Sequence, residues 1–141
     1  MAEEKKINVA EKIKVGMERL ESTSCDASNT AQAMKSGTLP VFATPAMTGL
    51  MEHAASNLVE LLLPDGWTSV GTMINVEHVS ATPFGMRVTA KATVTKVEGR
   101  KITFDVKALD ATGEIGHGIH ERFIVNKAKF LDKALAKVNT K

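Results

Sequence analysis

From Thr44 to Leu62 the chain reads TPAMTGLMEHAASNLVELL, and Met47, Leu50, Met51, Ala54, Ala55, Leu58, Val59, Leu61 and Leu62 recur at helical spacing. Apolar side chains then cover most of the circumference, wider than the single stripe of a surface helix. Such a helix needs cover on more than one side, as when a sheet wraps around it. Thr44 and Pro45 supply the start: a threonine N-cap accepts a bond from a free backbone N–H, and proline at the first helical position needs none of its own. Pro64-Asp65-Gly66 supplies the stop. Inside this run stands Glu52, followed by His53, a carboxylate among apolar neighbours.

After Gly66 the period changes from helical to alternating. SVGTMINVEHVSA places Thr72, Ile74, Val76 and His78 on one face and Met73, Asn75, Glu77 and Val79 on the other. A turn at TPFG leads to MRVTAKATVTKV and KITFDVKALDA, separated by Glu98-Gly99-Arg100, and a turn at Ala111-Thr112-Gly113 leads to EIGHGIHERFIVN. This predicts a four-stranded antiparallel meander after the helix. Before it, VGMERLESTS gives a weak strand signal from Val15, Met17 and Leu20, and residues 25–40 read as a loop with one short helical turn. Residues 127–141 predict a peripheral charged helix or frayed end, and residues 1–14 a flexible or peripheral start. The whole of 1–141 is expected to be a single domain.

One strand, one long helix and four strands define an α+β plan in which an antiparallel sheet wraps around one helix, the outline of a hotdog fold. Its exposed sheet edges would be closed by pairing with a second copy, so a homodimer is expected. Composition agrees: 141 residues with 43% hydrophobic content suit one folded core and exclude a disordered or fibrous chain. A net charge of +2, with basic residues scattered rather than clustered with aromatics, gives no sign of a nucleic-acid partner. The lone Cys25 excludes an internal disulfide, MAEEKKINVAEKIK lacks a signal-peptide core, and no stretch has the length of a membrane span. A soluble cytoplasmic protein is the expectation.

Three segments carry a family resemblance: SGTLPVFATPAMTGLMEHAA, SVGTMINVEHVSATPFGMRVTAKATVTKVEGRKITFDVKALD and GEIGHGIHERFIV. In order and spacing they resemble the fluoroacetyl-CoA thioesterase family of hotdog enzymes, from about Val15 to Asp132, with FATP, LME, SVGT, HVSATP and HERF in register. The resemblance implies hydrolysis of an acyl-CoA thioester at a dimer-interface site. It implies catalytic roles for Thr44, Glu52 and His78 and places Gly71 and Arg122 in the same pocket. Coenzyme A would be part of the substrate, with no separate cofactor and no metal. The family's phenylalanine-bearing lid has no counterpart in Ala33 to Pro40, which lack an aromatic residue. The expected substrate is therefore some other acyl-CoA, its short or medium acyl chain resting against Val41, Phe42 and Met47.

The residue types fit that chemistry. Thioester hydrolysis needs a base or nucleophile, stabilisation of a developing oxyanion and a proton route. Glu52 serves as base or nucleophile, with burial on an apolar helix expected to raise its pKa. His78, with an ordinary pKa of about 6.5, exchanges protons at physiological pH. Thr44 orients water or the carbonyl beside the free N–H groups of the helix start. Thr44 and Glu52 are separated by a helical rise of roughly 12 Å and a rotation of roughly 80°, so Glu52 is expected to find its partner at least partly on a second chain.

Plainer readings remain open for each residue. Thr44 is explained as an N-cap, Glu52 as a solvated carboxylate beside His53 and Glu60, and His78 as a satisfied sheet histidine. Arg122 reads equally as a surface charge or an anion contact, and Gly71 as a bulge or a close approach to ligand. His117 and His120, three apart on one strand, face opposite sides and make a poor metal pair, while His53 lies about 100° around the helix from Glu52. An acyl-thioester hydratase or dehydratase and a non-catalytic acyl-CoA-binding protein are the alternative functions.

Overall fold

The wide apolar surface of the central helix is explained by what surrounds it. The computed structural model describes residues 8–139. It contains α1 (Val9–Lys12), β1 (Glu18–Ser24), α2 (Thr44–Glu60), β2 (Trp67–His78), β3 (Arg87–Glu98), β4 (Lys101–Asp110), β5 (Gly113–Asn126) and α3 (Lys127–Leu135), followed by a 3-10 turn at Ala136–Asn139. The five strands form one antiparallel sheet in the order β1-β3-β4-β5-β2. Only β3, β4 and β5 form a meander. The expected fourth member, β2, pairs instead with the outer side of β5, from Trp67 opposite Asn126 to His78 opposite Gly116. Hairpin turns link the other three directly, whereas β2 follows a helix and is free to cross the sheet. Both β1 and β2 are consequently edge strands.

The sheet's inner face is a row of alternate residues. Val88, Ala90, Ala92 and Val94 on β3 and Ile102, Phe104, Val106 and Ala108 on β4 are buried under Met47, Met51, Ala54, Ala55, Leu58 and Val59 of α2. Alanines on both surfaces interleave with larger side chains, which brings helix and sheet close. Full burial of a residue such as Phe104 or Ile102 contributes about 2 kcal/mol. No helix among the described residues is long and apolar enough to cross a membrane.

Several local expectations change. Ala43, not Thr44, occupies the N-cap, without a side-chain cap bond; Thr44 is the first helical residue and Pro45 the second. The Thr44 hydroxyl is engaged elsewhere, as shown below. Leu61 lies just past the helix and is 68% exposed. Val9 and Ile13 pack into the core, so this part of the 1–14 segment is an anchor and not peripheral; residues 1–7 lie outside the described residues. α3 buries no residue.

The 25–43 loop turns at Asp26–Asn29, where Asn29 N–H donates to the Asp26 carbonyl, and again where Met34 N–H donates to the Thr30 carbonyl, and it is tied down by bridges from Thr30 to Phe42 and from Val41 to Pro83. In β2 a bulge between Gly71 and Met73 reverses the alternation. Ile74, Val76 and His78 share a half-buried face, but Thr72, expected on the same face, is exposed. Before the bulge, Trp67 and Ser69 are the buried residues.

Candidate active site

The first residue of α2 meets the last residue of β2. Thr44 Oγ1 lies 2.8 Å from His78 Nδ1, a hydrogen bond in which the hydroxyl donates whenever that nitrogen carries the lone pair. Burial pushes the His78 pKa below its ordinary 6.5, and the Ser80 backbone opposes this only in part. The ring is therefore a neutral base at pH 7. Its Nε2 is buried and has no hydrogen-bond partner of good geometry among the described residues. Beside the pair opens a cleft of about 270 Å³, lined by Ala31, Ser36, Val41, Phe42, Thr44 and the 78–81 segment. Four of the expected site residues, Val41, Phe42, Thr44 and His78, thus share one cavity. Met47 does not join them: it is fully buried in the core.

Farther along α2, on the flank beside β2, Glu52 forms a second cluster. Its Oε2 lies 3.6 Å from Arg122 Nη1 and 3.9 Å from His120 Nε2. Arg122 is not the surface charge that the sequence allowed, being only 6% exposed. Its Nε donates to Ser69 Oγ at 2.8 Å, Nη2 donates to the Ser69 carbonyl at 3.0 Å, and Nη1 lies 3.2 Å from His120 Nε2. Burial lowers the Arg122 pKa, while the charges of Glu52 and Glu60 work in the other direction. Gly71 leaves room for this arrangement, since a Cβ there would stand 2.5 Å from Glu52 Oε2 and 3.2 Å from His120 Cε1. Of the two sequence readings of Gly71, the structure gives the bulge, which it borders, and the close approach at this position is that of the chain's own Glu52 carboxylate.

The expectation of a buried Glu52 is corrected. Its side chain is 44% exposed within the chain, because it lies at the helix flank. His120 was missed as a site residue. The signal was present in HERF, where His120 and Arg122 stand two apart and so face the same side of a strand. His117 lies on the opposite face, 2.6 Å from Glu114 and 3.6 Å from Glu77. His53 turns towards β1, with Nε2 3.3 Å from Asn57 Nδ2 and 3.6 Å from Glu21 Oε1, and makes no pair with Glu52. Among the described residues no three His, Cys, Asp or Glu side chains converge as a metal site.

A sheet wrapped around one helix, with a hydroxyl–imidazole pair at the helix start and a carboxylate farther along, defines a hotdog protein equipped for acyl transfer to water. The sequence model of the family described as fluoroacetyl-CoA-specific thioesterase matches residues 25–128. A fluoroacetyl-CoA thioesterase from Streptantibioticus cattleyicolor is 44% identical over 97 residues, 69% of this chain and 70% of that protein. A solved structure of a fluoroacetyl-CoA thioesterase superposes with a TM-score of 0.84 at 35% identity, covering 89% of this chain and 97% of that one. A hot-dog-like protein from Thermanaerovibrio acidaminovorans superposes with a TM-score of 0.86 at 27% identity, covering 96% and 99%. The chain belongs to the fluoroacetyl-CoA-specific thioesterase family, and with it to the thioester hydrolases.

Proposed function

We propose that the protein hydrolyses an acyl-CoA thioester to a free acid and CoA, with Thr44, His78 and Glu52 as the reacting groups. The observation that carries this is the Thr44–His78 hydrogen bond on the wall of an accessible cleft. A neutral imidazole bonded to a hydroxyl can take the proton of that hydroxyl, or of a water it orients, as the thioester carbonyl is attacked. The protonated ring then returns the proton to the departing thiolate. Backbone N–H groups in the first turn of α2 are oriented to stabilise the oxyanion. Glu52, held near Arg122, acts as base or nucleophile on the same carbonyl.

The distance between Thr44 and Glu52 along α2 supports assembly of this site from two copies of the chain. β2 has one free edge, it carries both His78 and Gly71, and it borders the flank on which Glu52 is exposed. Pairing of β2 with its symmetry mate would cover Glu52 and bring it towards the Thr44–His78 pair of the partner.

The acyl group is taken to be small or medium and other than fluoroacetyl. Solved structures of the fluoroacetyl-CoA enzyme include a variant with a phenylalanine replaced by alanine, bound to fluoroacetate and CoA. Here residues 33–40, next to the cleft, have no aromatic side chain, and the lining comes from Val41, Phe42, Ala31 and Ser36. The test is thiol release from a panel of acetyl-, fluoroacetyl-, branched, aromatic and longer acyl-CoAs, with wild type beside Glu52→Gln. Release from at least one short acyl-CoA, lost in Glu52→Gln, is expected. No release from any member, or conversion that leaves the thioester intact as a hydratase would, overturns the reading.

A further inference from the structure

We infer that His120 is a positioning residue for the reaction: as a neutral imidazole protonated on Nδ1, it fixes the Arg122 guanidinium against the Glu52 carboxylate. The inference rests on the proposed role of Glu52 for its catalytic consequence, but the ties that hold Arg122 come from β2 and β5. The Met73 carbonyl, 2.8 Å from Nδ1, has no proton to give, so Nδ1 is the donor. In the neutral ring Nε2 is then an acceptor, and Arg122 Nη1, at 3.2 Å, is a donor in every state that the side chain adopts. Arg122 Nε and Nη2 are both taken by Ser69, so His120 supplies the third tie that leaves the guanidinium one orientation. The imidazole is itself immobile: it is fully buried and stacked on Phe104, with centroids 6.0 Å apart and planes at 27°.

The arrangement works in one protonation state only. A second proton on the ring would place two donors face to face, remove the bond to Nη1 and set two cations side by side. The charged groups acting on the ring are Arg122 and Glu121 from β5 and Glu52 from α2; the Met73 carbonyl from β2 and Phe104 from β4 add no charge. The carboxylates and the Met73 carbonyl favour a charged ring, but burial outweighs them and, with Arg122, holds its pKa below the ordinary value. Acidification would therefore free Arg122 and loosen its hold on Glu52.

Two substitutions separate this role from that of a core filler. His120→Gln keeps an uncharged acceptor within reach of Arg122, whereas His120→Phe keeps volume and ring stacking but offers none. We expect His120→Gln to retain kcat within about threefold, and His120→Phe to lose at least about tenfold in kcat with little change in KM. The acid limb of kcat/KM should be shallower by one proton in His120→Gln than in wild type. On wild type, nitrogen-15 spectra of the imidazole should show a neutral ring protonated at Nδ1 at pH 7, a reading that needs no turnover. A ring that is charged or protonated at Nε2 at pH 7, full kcat in His120→Phe, or an unchanged acid limb in His120→Gln would overturn the inference. Failure of the thioesterase reading would show separately, as absence of thiol release by wild type.

Discussion

Thr44 Oγ1 is hydrogen-bonded to His78 Nδ1 at 2.8 Å, joining the first residue of α2 to the last residue of β2 across 34 residues of sequence. A threonine one residue earlier would cap the helix, but Ala43 holds the cap position and Thr44 is the first helical residue. Stability and chemistry are thereby separated at one residue. Thr44→Val keeps the side chain's shape and removes only the hydroxyl. It should lower kcat/KM by about 10²-fold, within the range for loss of a positioned proton-transfer partner. The stability cost should not exceed about 1 kcal/mol, the net value of one hydrogen bond. Steady-state kinetics and urea denaturation on one preparation decide it; wild-type kcat/KM in Thr44→Val would remove Thr44 from the mechanism.

His78 and His120 both have folded-state pKa values depressed by burial. An unfolded histidine titrates near 6.5, so as pH falls through that value the unfolded chain takes up protons that the folded chain refuses, and stability declines until the folded pKa values are passed. The carboxylates with lowered pKa, Glu21, Asp26 and Asp110, act in a separate window, since their ordinary values are 4.5 and 3.8. The melting temperature should thus begin to fall already between about pH 6.5 and pH 5, and His120→Gln should flatten that part of the curve. Scanning calorimetry across this range checks the point. A melting temperature constant down to about pH 5 would contradict depressed histidines.

Two glycines with crowded surroundings should respond differently to a methyl group. At Gly71 the nearest atom to an added Cβ is a carboxylate oxygen of Glu52, at the end of a flexible and half-exposed side chain. That carboxylate can swing away, so Gly71→Ala should fold with a stability loss of about 1 kcal/mol while kcat/KM drops at least about tenfold. At Gly118 the added Cβ would collide with backbone, the Asn75 carbonyl and Val76 Cα, in the paired strand β2. Backbone cannot yield without opening the β2–β5 ladder, so Gly118→Ala should destabilise by about 3 kcal/mol. Equal losses of stability in the two variants would refute the distinction.

The parts of the molecule set by local periodicity were legible in the sequence. The apolar spacing of Met47 to Val59 gave the helix, and the alternation in MRVTAKATVTKV and KITFDVKALDA gave β3 and β4. What depended on long-range pairing was not. Nothing local to SVGTMINVEHVSA says that β2 crosses to β5, and that choice is what sets Gly71 opposite Arg122. The bulge that reverses the strand's phase is equally silent, so simple alternation groups Thr72 with Ile74, Val76 and His78, whereas Thr72 is exposed and those three are half-buried. Thr44 and His78 came from family resemblance, and their hydrogen bond required the fold. His120 was overlooked because its partners, Met73 and Arg122, meet only when β2 lies against β5.

Along α2, Thr44 and Glu52 belong to different clusters in the single chain, one with His78 and the other with Arg122 and His120. If the working site takes Thr44 and His78 from one chain and Glu52 from another, two inactive variants can repair each other. Thr44→Val and Glu52→Gln homodimers would each be impaired at both sites. A mixed dimer would hold one site with both substitutions and one with neither. Random reassortment makes half of the dimers mixed, so activity should return to about a quarter of wild type after co-unfolding and refolding together. If each site is complete within one chain, the mixture shows no activity beyond the sum of its parts. Size-exclusion chromatography with light scattering must show a dimer in the same samples, and a monomer there would exclude the two-chain site directly.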